Sequence, residues 1–300
     1  MPATVYDAVF GSDTLRQISQ SNLNPNMSIM KEKFSGNAYI AEQFIESAEY
    51  AVDLTTTDIY GALGIFRSDS AESIRIANGG TVIVPWNGRT SGGTFLSATT
   101  SHVRIKGYSS TSPVQLVPMS ISAPTSGFAS FQGSVHFLSR NGLEAPILVQ
   151  TAQTLASQAF LGSYRLGPLN VNGTLIAEQI GWNLNFGVTL SEKKRYGGAP
   201  YPTDCFIVSV EPTIEFTAEA MAFLSTITGG LPISSLSAYL RKCDEGATVV
   251  ADATETNIEF SFAGGLATHN GTSASGSGDA QNTVIVAGEA LVIDRTAAIV

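Results

Sequence analysis

The 300-residue chain is short of cysteine, histidine and charge: two Cys, three His, 16 basic and 25 acidic side chains, with a formal net charge of -9. Each shortage excludes something. Cys205 and Cys243 cannot staple a chain of this length, and without a CxxC spacing they are expected to be free thiols. His102, His136 and His269 are scattered, none at metal-ligand spacing with a Cys, Asp or Glu, so no metal site is expected. No HExxH, GxSxG, P-loop or strand-borne GxGxxG occurs, and no cofactor is expected. The acidic balance argues against a protein that grips phosphate backbones, because that affinity comes from Lys and Arg displacing counterions. No stretch approaches the roughly 20 apolar residues of a membrane helix. The opening MPATVYDAVFGSDTLRQ lacks a basic region followed by an apolar one, so the expectation is a soluble, cytoplasmically made protein with no membrane partner.

What the chain does have is 43% hydrophobic residues, enough for a full core, and 29 Gly and 12 Pro among abundant Ser and Thr. With few long helical patterns, this composition predicts an all-β protein full of turns.

One stretch shows the pattern plainly. Ile180, Trp182, Leu184, Phe186, Val188 and Leu190 alternate with small or polar residues, which predicts one long strand with an apolar and a polar face. The charged turn EKKRYGGAPYP follows, and CFIVSVEPTIEF returns as a second strand. Pro212 cannot donate to a ladder, so a bulge or an edge is expected there. Thr217 reads as an N-cap and Ala218 to Ile227 as a short helix, stopped by Gly229 and Gly230.

The same grammar is spelled earlier. Asn22-Leu23-Asn24 matches Asn183-Leu184-Asn185, Lys31-Glu32-Lys33 answers Glu192-Lys193-Lys194, and Val52-Asp53-Leu54-Thr55 matches Ile214-Glu215-Phe216-Thr217. The first helix is then expected over Thr55 to Ile65. In the tails, Ile74-Arg75, Gly80 to Ile83 and Val114 to Val117 pair with Leu240-Arg241, Ala247 to Val250 and Val284 to Val286. Ordered matches of this kind predict an internal duplication into two modules, 1–122 and 123–300, each with a short helix. The boundary is placed at SISAPTS, and the second module carries an extra segment. In that segment Ser134 to Leu138 and Leu169 to Ala177 read as strands, the latter with an Asn172-Gly173 turn, and Thr151 to Phe160 as a short helix.

The succession from Ile180 through EPTIEFT, the short helix, YLRK, NIEFSFAGG and NTVIVAG resembles the tail tube proteins of long-tailed bacteriophages. The resemblance covers most of Leu175 to Ile293 and, through the repeat, Asn22 to Val117. It implies a β-sandwich or split-barrel module with a flanking helix. Six such modules form a ring whose inner barrel takes four strands from each, and rings stack into a tube for DNA. A chain with two modules then implies homotrimeric rings of pseudo-sixfold symmetry, with other tail proteins at the tube ends and a place in the virion after assembly in the host cytoplasm. Twenty-four strands at about 4.8 Å, tilted by roughly 40°, close a barrel on the order of 45 to 50 Å across.

On this reading Asn22, Asn24, Asn26, Ser28, Asn183, Asn185 and Thr189 are candidate lumen-facing residues. Lys31, Glu32, Lys33, Glu192, Lys193, Lys194 and Arg195 form candidate loops between rings or subunits, their mixed signs suited to an oppositely patterned loop. DNA is expected to pass without specific binding. Other readings stay open: a head decoration or tail-terminator subunit, a non-catalytic β-sandwich binding module, or a glycan-active enzyme built on Glu211 and Glu215. The last is disfavoured, since Glu49 and Asp53 recur at the matching positions. No enzymatic activity is expected.

Overall fold

The computed structural model describes residues 7–32, 42–67, 71–86, 102–153, 162–176, 178–195, 198–219, 230–244, 248–273 and 280–299. They are mostly antiparallel strand, so the chain is all-β. In the first half these are β1 (Ala8–Phe10), β2 (Asp13–Leu15), β3 (Ile18–Glu32), β4 (Glu42–Thr56), helix α1 (Ile59–Phe66), β5 (Ile74–Ile76), β6 (Val82–Trp86), β7 (His102–Gly107), β8 (Val114–Pro124), β9 (Ser130–Phe137) and β10 (Ile147–Gln153). In the second they are β11 (Ser163–Val171), β12 (Thr174–Leu175), β13 (Gln179–Asn185), β14 (Val188–Lys193), β15 (Asp204–Val210), β16 (Thr213–Ala218), β17 (Leu231–Ile233), β18 (Leu236–Cys243), β19 (Asn257–Phe262), β20 (Gly265–Ser273), β21 (Gln281–Gly288) and β22 (Leu291–Ala297).

One large sheet runs in the order β17-β20-β21-β16-β13-β8-β9-β4-β3, with β5 also on β8. Two smaller sheets run β10-β7-β6-β1-β2 and β12-β11-β18-β19-β22, and β14 and β15 form a two-stranded sheet among the described residues. Alternation explains the layering: along β8, β9, β13, β16 and β21 apolar residues such as Leu116, Val135, Leu184, Ile214 and Val286 alternate with mostly polar ones and are buried in the core. Phe10 meets Phe66 of α1, Phe66 meets Phe131 of β9, Phe131 meets Phe186, and Trp182 of β13 meets Phe260 of β19 edge to face at 5.6 Å. These rings belong to one core that runs through both halves.

The two halves use the same pairing scheme. The buried row Leu23, Val52, Val135, Leu116 crosses β3, β4, β9 and β8; Leu184, Ile214, Val286, Ala267 crosses β13, β16, β21 and β20. The irregularities match as well. A register shift skips Ser19 in one half and Ile180 in the other, Met119 and Asn270, and Glu46 and Val208. Bulges are positional features of a backbone, so three matching ones show the same pairing scheme in both halves.

Several expectations from the sequence need correction. The strand from Ile180 to Leu190 is interrupted at Phe186 and Gly187. Gly187 sits at φ +63°, its N–H donates to Asn185 Oδ1 at 2.9 Å, and Pro212 opposite has no N–H to continue a ladder. The hairpin therefore splits into a β13–β16 base and a β14–β15 arm, whereas β3 and β4 run unbroken.

The first helix begins at Ile59 because the Asp58 side chain accepts the Gly61 N–H at 3.0 Å and so takes the capping role. Thr217 is no cap: it lies in β16 opposite Gly181 and Thr283. The rest of the second helix, 220–229, lies outside the described residues. The 122/123 boundary falls inside β8, and β9 and β10 pair within the first half, so the scheme repeats after Gln153. Thr151 to Gln153 ends β10; 154–161 is outside the described residues. In the tails β5 corresponds to β17 and β8 to β20, because similar Val-rich strands were matched one element out of step. Ser134 to Phe137 is strand and Asn172-Gly173 turns β11 into β12, both residues at positive φ. Among the described residues none of the sheets closes into a barrel. No helix among the described residues is long and apolar enough to cross a membrane.

Candidate assembly and channel surface

The face of the large sheet opposite the core is the first feature of interest. Residues directly opposite on neighbouring strands share a face, so one row can be followed from β3 to β20. Gln20, Thr55, Gln132, Ser120, Asn185, Thr213, Ala287 and Leu266 stand opposite one another in turn across β3, β4, β9, β8, β13, β16, β21 and β20. The Ser120 hydroxyl donates to Gln132 Oε1 at 3.2 Å along it. The next row runs Ser130, Ser122, Asn183, Glu215, Ile285, Thr268, while Asn22 faces Asp53. Neither row contains Lys or Arg, and the charges they meet, Asp53 and Glu215, are acidic.

Asn22, Asn183 and Asn185 therefore lie on this face. Asn24 is on β3 opposite Ala51, but its side chain is outside the described residues. Asn26 and Ser28 are exposed on the arm formed by the outer ends of β3 and β4, where the Ser28 hydroxyl donates to Glu46 Oε2 at 2.9 Å. Thr189 lies beyond the break on β14, yet lines the same concavity as Asn183, Asn185, Ser120 and Gln132. Glu211 and Glu215 also line it. Among the described residues no three His, Cys, Asp or Glu are grouped to hold a metal ion.

The second feature is the joint between halves. β13 pairs with β8, placing Trp182 opposite Ala123, Asn183 opposite Ser122, Leu184 opposite Ile121 and Asn185 opposite Ser120. The β14–β15 arm then folds onto the first half. Ala48 N–H donates to Pro200 O and Ser139 N–H to Pro202 O, both at 2.8 Å. The Tyr50 and Tyr201 rings meet at 6.2 Å. Glu192 Oε1 lies 3.2 Å from His136 Nδ1, and Arg75 pairs with Asp204.

The charged-loop residues thus divide. Glu192 is half-buried and engaged within the chain, and Lys194 Nζ reaches Glu46 O at 3.4 Å. Lys193 and Arg195 are exposed, as is Lys31 near the end of β3. The Glu32 side chain and all of Lys33 lie outside the described residues. No local pattern in the sequence marks Arg75, Asp204, His136, Tyr50 and Tyr201 as partners. They sit far apart along the chain, and only the repeated strand scheme brings them together.

Cys205 and Cys243 are buried free thiols. Burial pushes the Cys205 thiol up to about 12, with Glu192 and Asp204 adding to the shift, so it stays protonated and unreactive at neutral pH.

The third feature is exposed apolar surface on the arms. Met27, Ile29, Met30, Phe44 and Ile45 on the first, and Phe206, Ile207 and Val208 on the second, are all exposed. No protein-family model matches this chain, and no curated protein matches it at a significant level.

Proposed function

We propose that this chain is the repeating subunit of a tube of the kind found in the tails of long-tailed bacteriophages. Each chain supplies two tube modules and eight lining strands, three chains close a ring, and stacked rings form a conduit for duplex DNA. The observation that carries this reading is the joined sheet. Its two halves are paired edge to edge in one sense, so further copies can add in that same sense until the row closes.

The open face fits a channel lining. DNA retention on a protein needs Lys and Arg against phosphate; rows of amides, hydroxyls and a few apolar side chains with scattered acids leave phosphate unheld, so the duplex slides. The ring partner is a second and third copy of this chain, other tail proteins cap the tube ends, and the site of action is the virion after assembly in the host cytoplasm. No reaction is required of any residue.

Electron microscopy of the purified protein at increasing concentration tests the reading. Rings or stacked tubes with a central hole are expected. Compact monomers at every concentration would overturn it and make a decoration subunit the better account.

A further inference from the structure

Each half of the large sheet has one edge that inserts and one stretch that receives. The inserting edge is the outer side of β13 in the second half and of β3 in the first. The receiving stretch is the part of β8 past β5, and of β20 past β17. These stretches begin at the same point, because β5 occupies Val114 to Leu116 of β8 and β17 occupies Gly265 to Ala267 of β20. Within one chain β13 fills the β8 stretch. Among the described residues no strand pairs with the outer side of β3 or with the stretch Thr268 to Ser273 of β20 on the side that β17 occupies further along.

We infer that β3 of one copy pairs antiparallel with β20 of the next, in the register carried over from the β13–β8 joint. Asn183 corresponds to Asn22, since these face Glu215 and Asp53 at matching positions. Ser120 corresponds to Gly271, each following the matched bulge. The transferred register puts Asn22 opposite Ser273, Leu23 opposite Thr272 and Asn24 opposite Gly271. This inference rests on the ring reading above and fixes which residues meet.

The two joints of the ring are unequal. Phe186 N–H donates to Met119 O at 3.0 Å in the joint within the chain. The position matching Phe186 is Pro25, which has no N–H, so the ladder between copies ends there. The positions matching Arg75 and His136 are Pro232 and Ala287, so the Arg75–Asp204 ion pair and the His136–Glu192 hydrogen bond that clamp the β14–β15 arm have no counterpart. What the first arm brings instead is its exposed Met27, Ile29, Met30, Phe44 and Ile45. The joint between copies is therefore made of backbone pairing and apolar contact, and a ring dissociates into whole chains.

Paired cysteines test the register, because directly opposed strand residues are about 4.5 to 5.5 Å apart at Cα, within disulfide reach. Asn183→Cys with Ser122→Cys is the control for the joint within the chain and gives a bridged monomer. Asn22→Cys with Ser273→Cys is expected to give, on mild oxidation, a ladder that ends at three chains, and each single substitution to give no trimer. A ladder running past three overturns closure at three. Rings seen by microscopy without the Asn22–Ser273 bridge, while the control pair bridges, overturn the register and leave the tube reading standing. Neither rings nor bridge overturns both.

Discussion

Glu192 of the second arm and His136 of β9 meet at 3.2 Å across 56 residues of chain, and both are partly buried. The pair ties a projecting hairpin to the other half of the molecule. A double-mutant cycle with His136→Ala and Glu192→Gln, read by urea unfolding, should return about 1 kcal/mol of interaction energy. A coupling indistinguishable from zero would mean the arm is held by its backbone bonds and the Tyr50–Tyr201 contact alone.

Gly187 sets the break that frees this arm. A Cβ there would collide with the Glu211 carbonyl, and its φ of +63° suits glycine. Gly187→Ala should destabilise by roughly 1 to 3 kcal/mol, whereas Gly173→Ala, with φ +74° but open space around it, should cost less. Equal midpoints for the two variants in denaturant would contradict this account of the bend.

Asp204 makes the same docking pH-dependent. The Arg75 guanidinium donating to it holds its carboxyl below the usual carboxylate range, against partial burial. A carboxyl with a lowered native value stabilises fully above its unfolded value, about pH 4, and loses that contribution as pH falls through the native value. The pair is nearly half-exposed, so the contribution is about 0.5 kcal/mol. Thermal midpoints measured from pH 6 down to pH 2 should fall more steeply for the native protein than for Asp204→Asn. Parallel curves would remove the pair from the docking.

If the polar row lines a channel, charge placed on it should matter to DNA and little to folding. Asn22→Lys with Asn183→Lys adds six cations to a ring of three chains. Such particles should retain short duplex DNA at low salt and release it as salt rises, while particles of the native chain retain none. Retention by native particles, or its absence in the lysine variant, would argue against a lining role for this face.

Much of the fold was legible because period-2 alternation is a local signal. Trp182, Leu184, Ile214 and Phe216 point inward as their spacing says, and the positions of Asn22 and Asn183 followed from the repeated NLN. What was not legible depended on contacts made far along the chain. The helix starts at Ile59 because the preceding Asp58 caps it through the Gly61 N–H, and nothing in the local string ranks Asp58 above Thr55. SISAP looked like a module boundary because Pro and Ser break local patterns, yet Ser120 and Ser122 lie in the strand that joins the halves. The charged turn hid its own division: Glu192 is drawn inward by a histidine 56 residues away, while Lys193 and Arg195 stay in solvent. The tails were matched out of step because short valine-rich strands resemble one another until hydrogen-bond register distinguishes them.

The central claim is that the joined sheet of one chain is one third of a closed ring. End-on class averages of the assembled particles by cryo-electron microscopy test it most directly. The account predicts a central channel bounded by six similar densities in three alternating pairs, one pair per chain, with two kinds of joint. Six identical chains per ring, an open helical strand, or particles with no channel would contradict it.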